Sequence, residues 1–393
     1  MKKYVLIIIV VMIIIILGLS IKLLKHEDKK FNDLNKELEY IFSNFVKKNK
    51  SIKNGVISVM KGDGSFFWTG SAGIAYQKNQ KVMRNDTPIC IASITKLYTA
   101  TAIMQLYERG LISLDDPMSK YLPYELIKGI HIYKGKDYSQ SITIKELLSH
   151  TSGIADYYLE KPKGGKNFFE LFLEYPERSW TVDQTIERAR DDLKSNFVPE
   201  TDTSYSDTNF QLLGKIIEVV AEKPLHIIYE DYFFRPLGLK HTWLNNYSKP
   251  LFPSGAPADI FYKETVITNV RNNKAYWADG GIISTAKECI IFLKALNEGK
   301  FISKDTLNMM HNWHKLEFPL KYGYGTMYFE LPKFMTLGKK MPGLWGHSGS
   351  TGSFLYYSED LDLYFAGTIN KIGSKSKPFQ LMYKIMTAIE SKK

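Results

Sequence analysis

The longest apolar feature of the chain is the nearly unbroken run from Tyr4 to Ile21, which follows Lys2 and Lys3. At about 1.5 Å of rise per residue it is long enough to cross most of a bilayer, and it reads as a signal anchor within residues 1–24. A cleaved signal peptide is the alternative. Against it, no small-x-small cleavage site follows the run, and no cysteine follows it for lipid attachment. Lys22, Lys25, Lys29 and Lys30 outnumber the two lysines ahead of the span, so the positive-inside count does not fix its orientation. Residues 25–51 are polar and lysine-rich with scattered Phe, Leu and Ile, the pattern of a basic juxtamembrane helix or spacer. A globular body is expected from about residue 52 to 390.

Within that body the period of the pattern changes twice. Val56 to Met60 and Ser65 to Thr69 flank Gly62-Asp63-Gly64 and predict an opening β-hairpin. Leu97, Ile103, Met104 and Tyr107 then recur at helical spacing up to Gly110. From residue 101 to 269 helical periodicity dominates, most clearly over Ile144 to Leu148, Thr181 to Leu193 and Phe210 to Ala221. After Trp277 the sequence Gly280-Gly281-Ile282-Ile283-Ser284-Thr285 leads into a helix through Leu296. Tyr322 to Glu330, Gly343 to His347, Ser353 to Ser358 and Leu363 to Thr368 read as antiparallel strands, and Phe379 to Ile389 as a terminal helix. Strands from both ends are expected to share one sheet, giving an α+β class. The sheet part covers about 52–100 and 270–390, with the mainly helical part between. No internal repeat is evident.

Composition changes this picture little. With 393 residues and 44% hydrophobic content the chain can bury a sizeable core. The net charge of +11 is concentrated at the N-terminus, where the first 53 residues carry eleven Lys against five acidic residues. There is no Arg-rich run, zinc spacing or RNA-binding signature, so the charge argues against nucleic acid and for an anionic membrane or wall polymer. Cys90 and Cys289 have no metal-ligand spacing and cannot form a disulfide framework, although one bridge between them is compatible with the sequence.

The candidate chemistry begins at Ile91-Ala92-Ser93-Ile94-Thr95-Lys96. An i to i+3 spacing puts the Ser93 hydroxyl and the Lys96 amine on one face of the first helical turn, beside free N–H groups and the positive end of the helix dipole. A serine is a poor nucleophile without a neighbouring base, and this turn supplies one. The alternative reading is that Ser93 simply caps the helix. Three further motifs follow in order: Leu148-Ser149-His150-Thr151-Ser152-Gly153, then Tyr205-Ser206-Asp207-Thr208-Asn209, then Gly346-His347-Ser348-Gly349-Ser350. With Pro236-Leu237-Gly238-Leu239 and Asp279-Gly280-Gly281, this ordered set closely resembles the penicillin-recognising serine hydrolases related to class C β-lactamases, DD-peptidases and esterases.

The resemblance covers about residues 52–390 and implies a fold, a reaction and a set of roles. Ser93 matches the acylated nucleophile, Lys96 the lysine that helps to deprotonate it, and Tyr205 the tyrosine that shares proton transfer. The backbone N–H groups of Ser93 and Ser350 match the oxyanion hole. Asp207, His347, Ser348 and Gly349 match substrate-binding positions, and His150 matches a structural one. No metal or organic cofactor is implied. Two positions depart from the family pattern. Asp207 stands where Asn is common, exchanging an amide donor for an anionic acceptor that favours the ammonium form of Lys96. His347 stands where Lys is common, which weakens recognition of a substrate carboxylate. The expectation is a membrane-anchored extracytoplasmic hydrolase of envelope esters or amides, such as D-alanyl groups of wall polymers or peptidoglycan stem peptides. A β-lactamase or DD-carboxypeptidase proper, or a penicillin-binding-like module without turnover, are the alternatives.

Overall fold

The computed structural model describes residues 31–268, 273–336, 338 and 340–392. The apolar run expected to anchor the chain lies outside them, and none of the described helices is long and apolar enough to cross a membrane.

The first described helix, α1 (Leu34–Lys48), corrects the sequence reading of residues 25–51 as a segment outside the body. Leu38, Phe42, Phe45 and Val46 lie on one face and are buried in a core shared with the sheet and the C-terminal helix. The spacing is that of an amphipathic helix. Phe42 is fully buried, and its ring fills the space left by two glycines of the sheet, Gly55 and Gly70.

The hairpin follows as β1 (Asn54–Lys61) and β2 (Phe67–Tyr76), paired Val59 to Trp68 across the turn at Gly64, whose φ of +75° suits glycine. A short edge strand, β3 (Lys81–Val82), pairs with β2. The rest of the sheet comes from the C-terminal third of the chain. These strands are β7 (His314–Lys315), β8 (Leu320–Tyr322), β9 (Met327–Phe329), β10 (Leu344–Ser348), β11 (Ser353–Ser358) and β12 (Leu363–Thr368). The order is β7-β8-β9-β10-β11-β12-β1-β2-β3, antiparallel throughout, so strands from both ends share one sheet.

Alternate residues face opposite cores, as the period of two requires. Val56, Leu355 and Ala366 pack towards the helical side, while Ile57, Phe354, Tyr356 and Phe365 pack towards α1 and the terminal helix Lys377–Glu390. The run from Tyr322 to Glu330 is two strands rather than the single one its composition suggests. Gly323 and Gly325 turn the chain between them, and a Cβ on Gly325 would lie 2.2 Å from Ala100 Cβ.

On the helical side, α2 (Thr95–Glu108) is buried on nearly every face. It packs with α5 (Asp207–Ala221), against which α3 (Ile144–Ser149) and α4 (Val182–Asp191) also pack, and α6 (Ala286–Asn297) lies between this core and the sheet. Capping boxes start α3 at Thr143 and Glu146 and α4 at Thr181 and Gln184. The region is not purely helical. A small sheet joins β4 (Ile89–Cys90) and β5 (Trp243–Leu244) to β6 (Ile282–Ser284). Two-residue strands carry too little periodicity to be read from sequence. Cys90 and Cys289 are buried free thiols, which removes the bridge left open above.

Candidate active site

Ser93 lies on a single 3-10 turn, Ala92–Ile94, that runs directly into α2. Ala92 just before it has φ +49°, a left-handed conformation that costs a non-glycine residue free energy and persists only where its surroundings enforce it. Those surroundings are specific. Ser353 Oγ donates to the Ile91 carbonyl at 2.8 Å, Thr351 Oγ1 to the Cys90 carbonyl at 3.0 Å, and the Ile282 N–H to Thr95 Oγ1 at 3.1 Å. A Cβ on Gly349 would lie 2.4 Å from the Ile91 carbonyl oxygen, so only glycine allows the turn after β10 to approach this closely. That approach places Ser350 in the same cleft wall as Ser93. Ser93 makes no capping hydrogen bond to the helix, which decides against the capping alternative.

Lys96 is fully buried and has three acceptors for its three ammonium protons: Asp207 Oδ1 in a short contact, the Asp279 carbonyl at 2.7 Å, and Ser93 Oγ at 3.3 Å. Burial pulls the pKa of Lys96 down, but the carboxylates of Asp207 and Asp279 outweigh it and the net shift is upward. The Nζ also lies 5.0 Å from the centre of the Tyr205 ring and 5.4 Å from that of Phe210. The Tyr205 hydroxyl is buried beside Ser93 without a hydrogen bond of good geometry, and burial, then Asp207, hold the phenol protonated well beyond its ordinary range. At rest the serine therefore faces an ammonium and a neutral phenol.

Asp207 is the first residue of α5, which begins three residues before the apolar pattern at Phe210 suggests. Its backbone N–H donates to Asp156 Oδ1 at 3.0 Å, and its side chain reaches Lys96. Asp156 and Asp279 are both buried. Burial first, and then the charge of Asp207, push both carboxyls up.

His347 does not reach the cleft wall, in contrast to its expected place among the substrate-binding residues. It is fully buried, its Nδ1–H donates to the Ser348 carbonyl at 2.7 Å, and its Nε2 accepts from Tyr322 Oη at 3.1 Å. Burial and the nearby Lys96 charge pull its pKa down to about 3, so it is neutral at any ordinary pH. Ser348 is likewise engaged, its Oγ lying 2.7 Å from Tyr356 Oη.

His150 takes the structural place that the resemblance implies, whereas Asp279, Tyr158 and Tyr276 have places in the site that no motif signals. His150, at φ +60°, holds the chain on both sides of Tyr205: its carbonyl accepts from the Ser204 N–H at 3.0 Å, and its Nδ1 accepts from the Ser206 N–H at 3.2 Å. Its ring packs 4.3 Å from the Tyr205 ring, centre to centre. The sequence places Asp279 only in a turn, yet its carbonyl positions Lys96 and the residue lines the cleft. Tyr158 and Tyr276, which also line it, carry no motif. Among the described residues, no group of three or more His, Cys, Asp or Glu side chains is placed to hold a metal ion.

A sheet with a helical region against it, and a serine-lysine-tyrosine cluster at their junction, define a class. The sequence profile of the Beta-lactamase family matches residues 42–384, and the chain belongs to that family. Among individual proteins, it is 29% identical over 243 residues to an N-acetylmuramyl-L-alanine amidase of Bacillus subtilis, covering 56% of this chain and 52% of that one. It is 26% identical over 320 residues to the teichoic acid D-alanine hydrolase of Staphylococcus aureus, covering 77% and 72% respectively. The chain thus spans about half the length of the first of these relatives and most of the second. A D-stereospecific amidohydrolase from Streptomyces superposes with a TM-score of 0.71 at 28% identity, over 87% of this chain and 97% of the other.

Proposed function

We propose that this chain is a membrane-anchored, extracytoplasmic serine hydrolase that moves the acyl group of an envelope ester or amide to water through an acyl-Ser93 intermediate. The observation that carries this reading is the contact of Lys96 Nζ with Ser93 Oγ, in a cleft that also holds Ser350 and has the Tyr205 hydroxyl beside the serine. Once Lys96 has lost a proton it can take the one on Ser93 as Oγ attacks the carbonyl carbon. The N–H groups of Ser93 and Ser350 then face the oxyanion, and Tyr205 delivers a proton to the leaving group. Water reverses the sequence and frees the acid.

The substrate class follows from what the cleft offers. Among the described residues that line it there is no Lys, Arg or His to pair with a free carboxylate, which supports esters over the C-terminal peptides of a carboxypeptidase. The relative named for D-alanine on teichoic acid and the D-stereospecific amidohydrolase support D-alanyl groups as the acyl donors. The lysine-rich N-terminal region suits an anionic wall polymer, and the apolar run from Tyr4 to Ile21 suits an anchor.

One observation favours a second reading, a penicillin-binding module without turnover: all three protons of Lys96 are engaged and its pKa is raised. Incubation with a fluorescent penicillin and with a chromogenic D-alanyl ester, each controlled by Ser93→Ala, separates the readings. Ester turnover lost in Ser93→Ala supports the hydrolase. Penicillin labelling without turnover of either compound supports the module, and fast lactam loss supports a β-lactamase proper.

A further inference from the structure

The cleft beside Ser93 is lined by Ala92, Tyr158, Asp207, Tyr276, Asp279 and Gly280, with Ser350. Asp207 and Asp279 both line it and a third acid, Asp156, lies behind Asp207; Lys96 pairs with the Asp207 carboxylate and meets Asp279 only at its backbone carbonyl.

The two lining carboxylates are not equivalent. Asp279 is satisfied on both oxygens, with Tyr157 Oη donating to Oδ2 at 2.6 Å and the Trp277 N–H to Oδ1 at 3.1 Å. Asp207 gives Oδ1 to Lys96, and no hydrogen bond from the described residues reaches its Oδ2. Its side chain is only 9% exposed, and what is exposed lies in the cleft. That oxygen is therefore the acceptor Asp207 has left for a donor entering the cleft. The hydroxyls of Tyr158 and Tyr276, 3.2 Å apart, add polar groups on aromatic faces, a surface that also suits a cation.

We propose that Asp207 Oδ2 receives the ammonium of an aminoacyl group, so that the cleft selects acyl donors with a free amine beside the scissile carbonyl. The amine of such a donor is two bonds from the carbonyl carbon that Ser93 attacks, and Asp207 is linked to Ser93 through the single nitrogen of Lys96. N-acylated and amine-free donors leave Oδ2 unpaired. A second cation on Asp207 also weakens its hold on the Lys96 proton. The amine therefore raises kcat as well as lowering KM.

This proposal rests on the acyl-Ser93 reading, and the test separates the two. Alanyl, N-acetylalanyl and propionyl esters of one chromogenic alcohol are compared with the full chain at neutral pH. The expected kcat/KM for the alanyl ester exceeds both others by about tenfold or more, the size of one hydrogen bond to a charged group. In Asp207→Asn the three esters come within about twofold of one another, whatever the change in total rate. If that variant turns over too slowly to compare, competition is read instead: alaninol, but not 1-propanol, slows labelling of Ser93 by a fluorophosphonate in the wild type, and the difference vanishes in Asp207→Asn. Equal rates for the three esters in the wild type, or a preference that survives in Asp207→Asn, overturns the ammonium site. Ester turnover that persists in Ser93→Ala overturns the underlying reading instead.

Discussion

A lysine that donates to a carboxylate, a carbonyl and the nucleophile at once is an ammonium, and it acts as a base only after losing a proton. Activity should therefore rise with pH through the pKa of Lys96, which Asp207 and Asp279 hold above its ordinary value despite burial. Asp207→Asn removes the larger of the two upward contributions, and the rise in kcat/KM should move to lower pH. An unmoved pH profile would break the link between the two residues. His150 offers a second test at this scale. Its left-handed backbone tolerates Asn, whose amide oxygen can accept the Ser206 N–H as Nδ1 does. His150→Val should lower kcat about 10²-fold by releasing Tyr205, and His150→Asn should recover most of the loss. Ser93, Lys96 and Tyr205 were legible because each belongs to a short motif. The grip of His150 on Tyr205 was not, since 55 residues of chain separate partners that meet only in the fold.

Elements with strong periodicity were legible, and those set by close approach were not. The strands at Ser353–Ser358 and Leu363–Thr368 match their sequence patterns, α2 matches to within a turn, and the opening hairpin forms with its second strand running on to Tyr76 rather than ending at Thr69. The split at Gly323 and Gly325 depends on what the turn packs against, the α2 backbone and Ala100, which no local pattern reports. The turn after β10 is the functional counterpart. A Cβ at Gly349 would press on Ser353 Oγ at 2.1 Å and on the Ile91 carbonyl, displacing Ser350 from the nucleophile turn. Gly349→Ala should cost about 10² to 10³ in kcat, the size of losing one oxyanion donor, while the far-ultraviolet circular dichroism of the fold is retained. A variant with unchanged kcat would place the oxyanion donors elsewhere.

For the whole molecule, the lesson of the N-terminal region is that a lysine-rich segment can still be core. Leu38, Phe42, Phe45 and Val46 carry helical spacing, but their dilution among charged residues gives the segment the pattern of a juxtamembrane helix or spacer. Phe42→Ala should destabilise the body by about 3 to 5 kcal/mol in denaturant unfolding, because the ring fills the space above Gly55 and Gly70. A change below about 1 kcal/mol would show that α1 is not part of the cooperative unit. Two layers of helix around one sheet bring residues 93 and 350 to a single cleft with Tyr205 buried beside Ser93, and the account depends on that cleft acylating one serine. The most direct measurement is mass spectrometry of protein quenched during turnover of a D-alanyl ester. The account predicts an added alanyl mass on the peptide containing Ser93, absent in Ser93→Ala. A covalent adduct on another residue, or full turnover by Ser93→Ala, would contradict it.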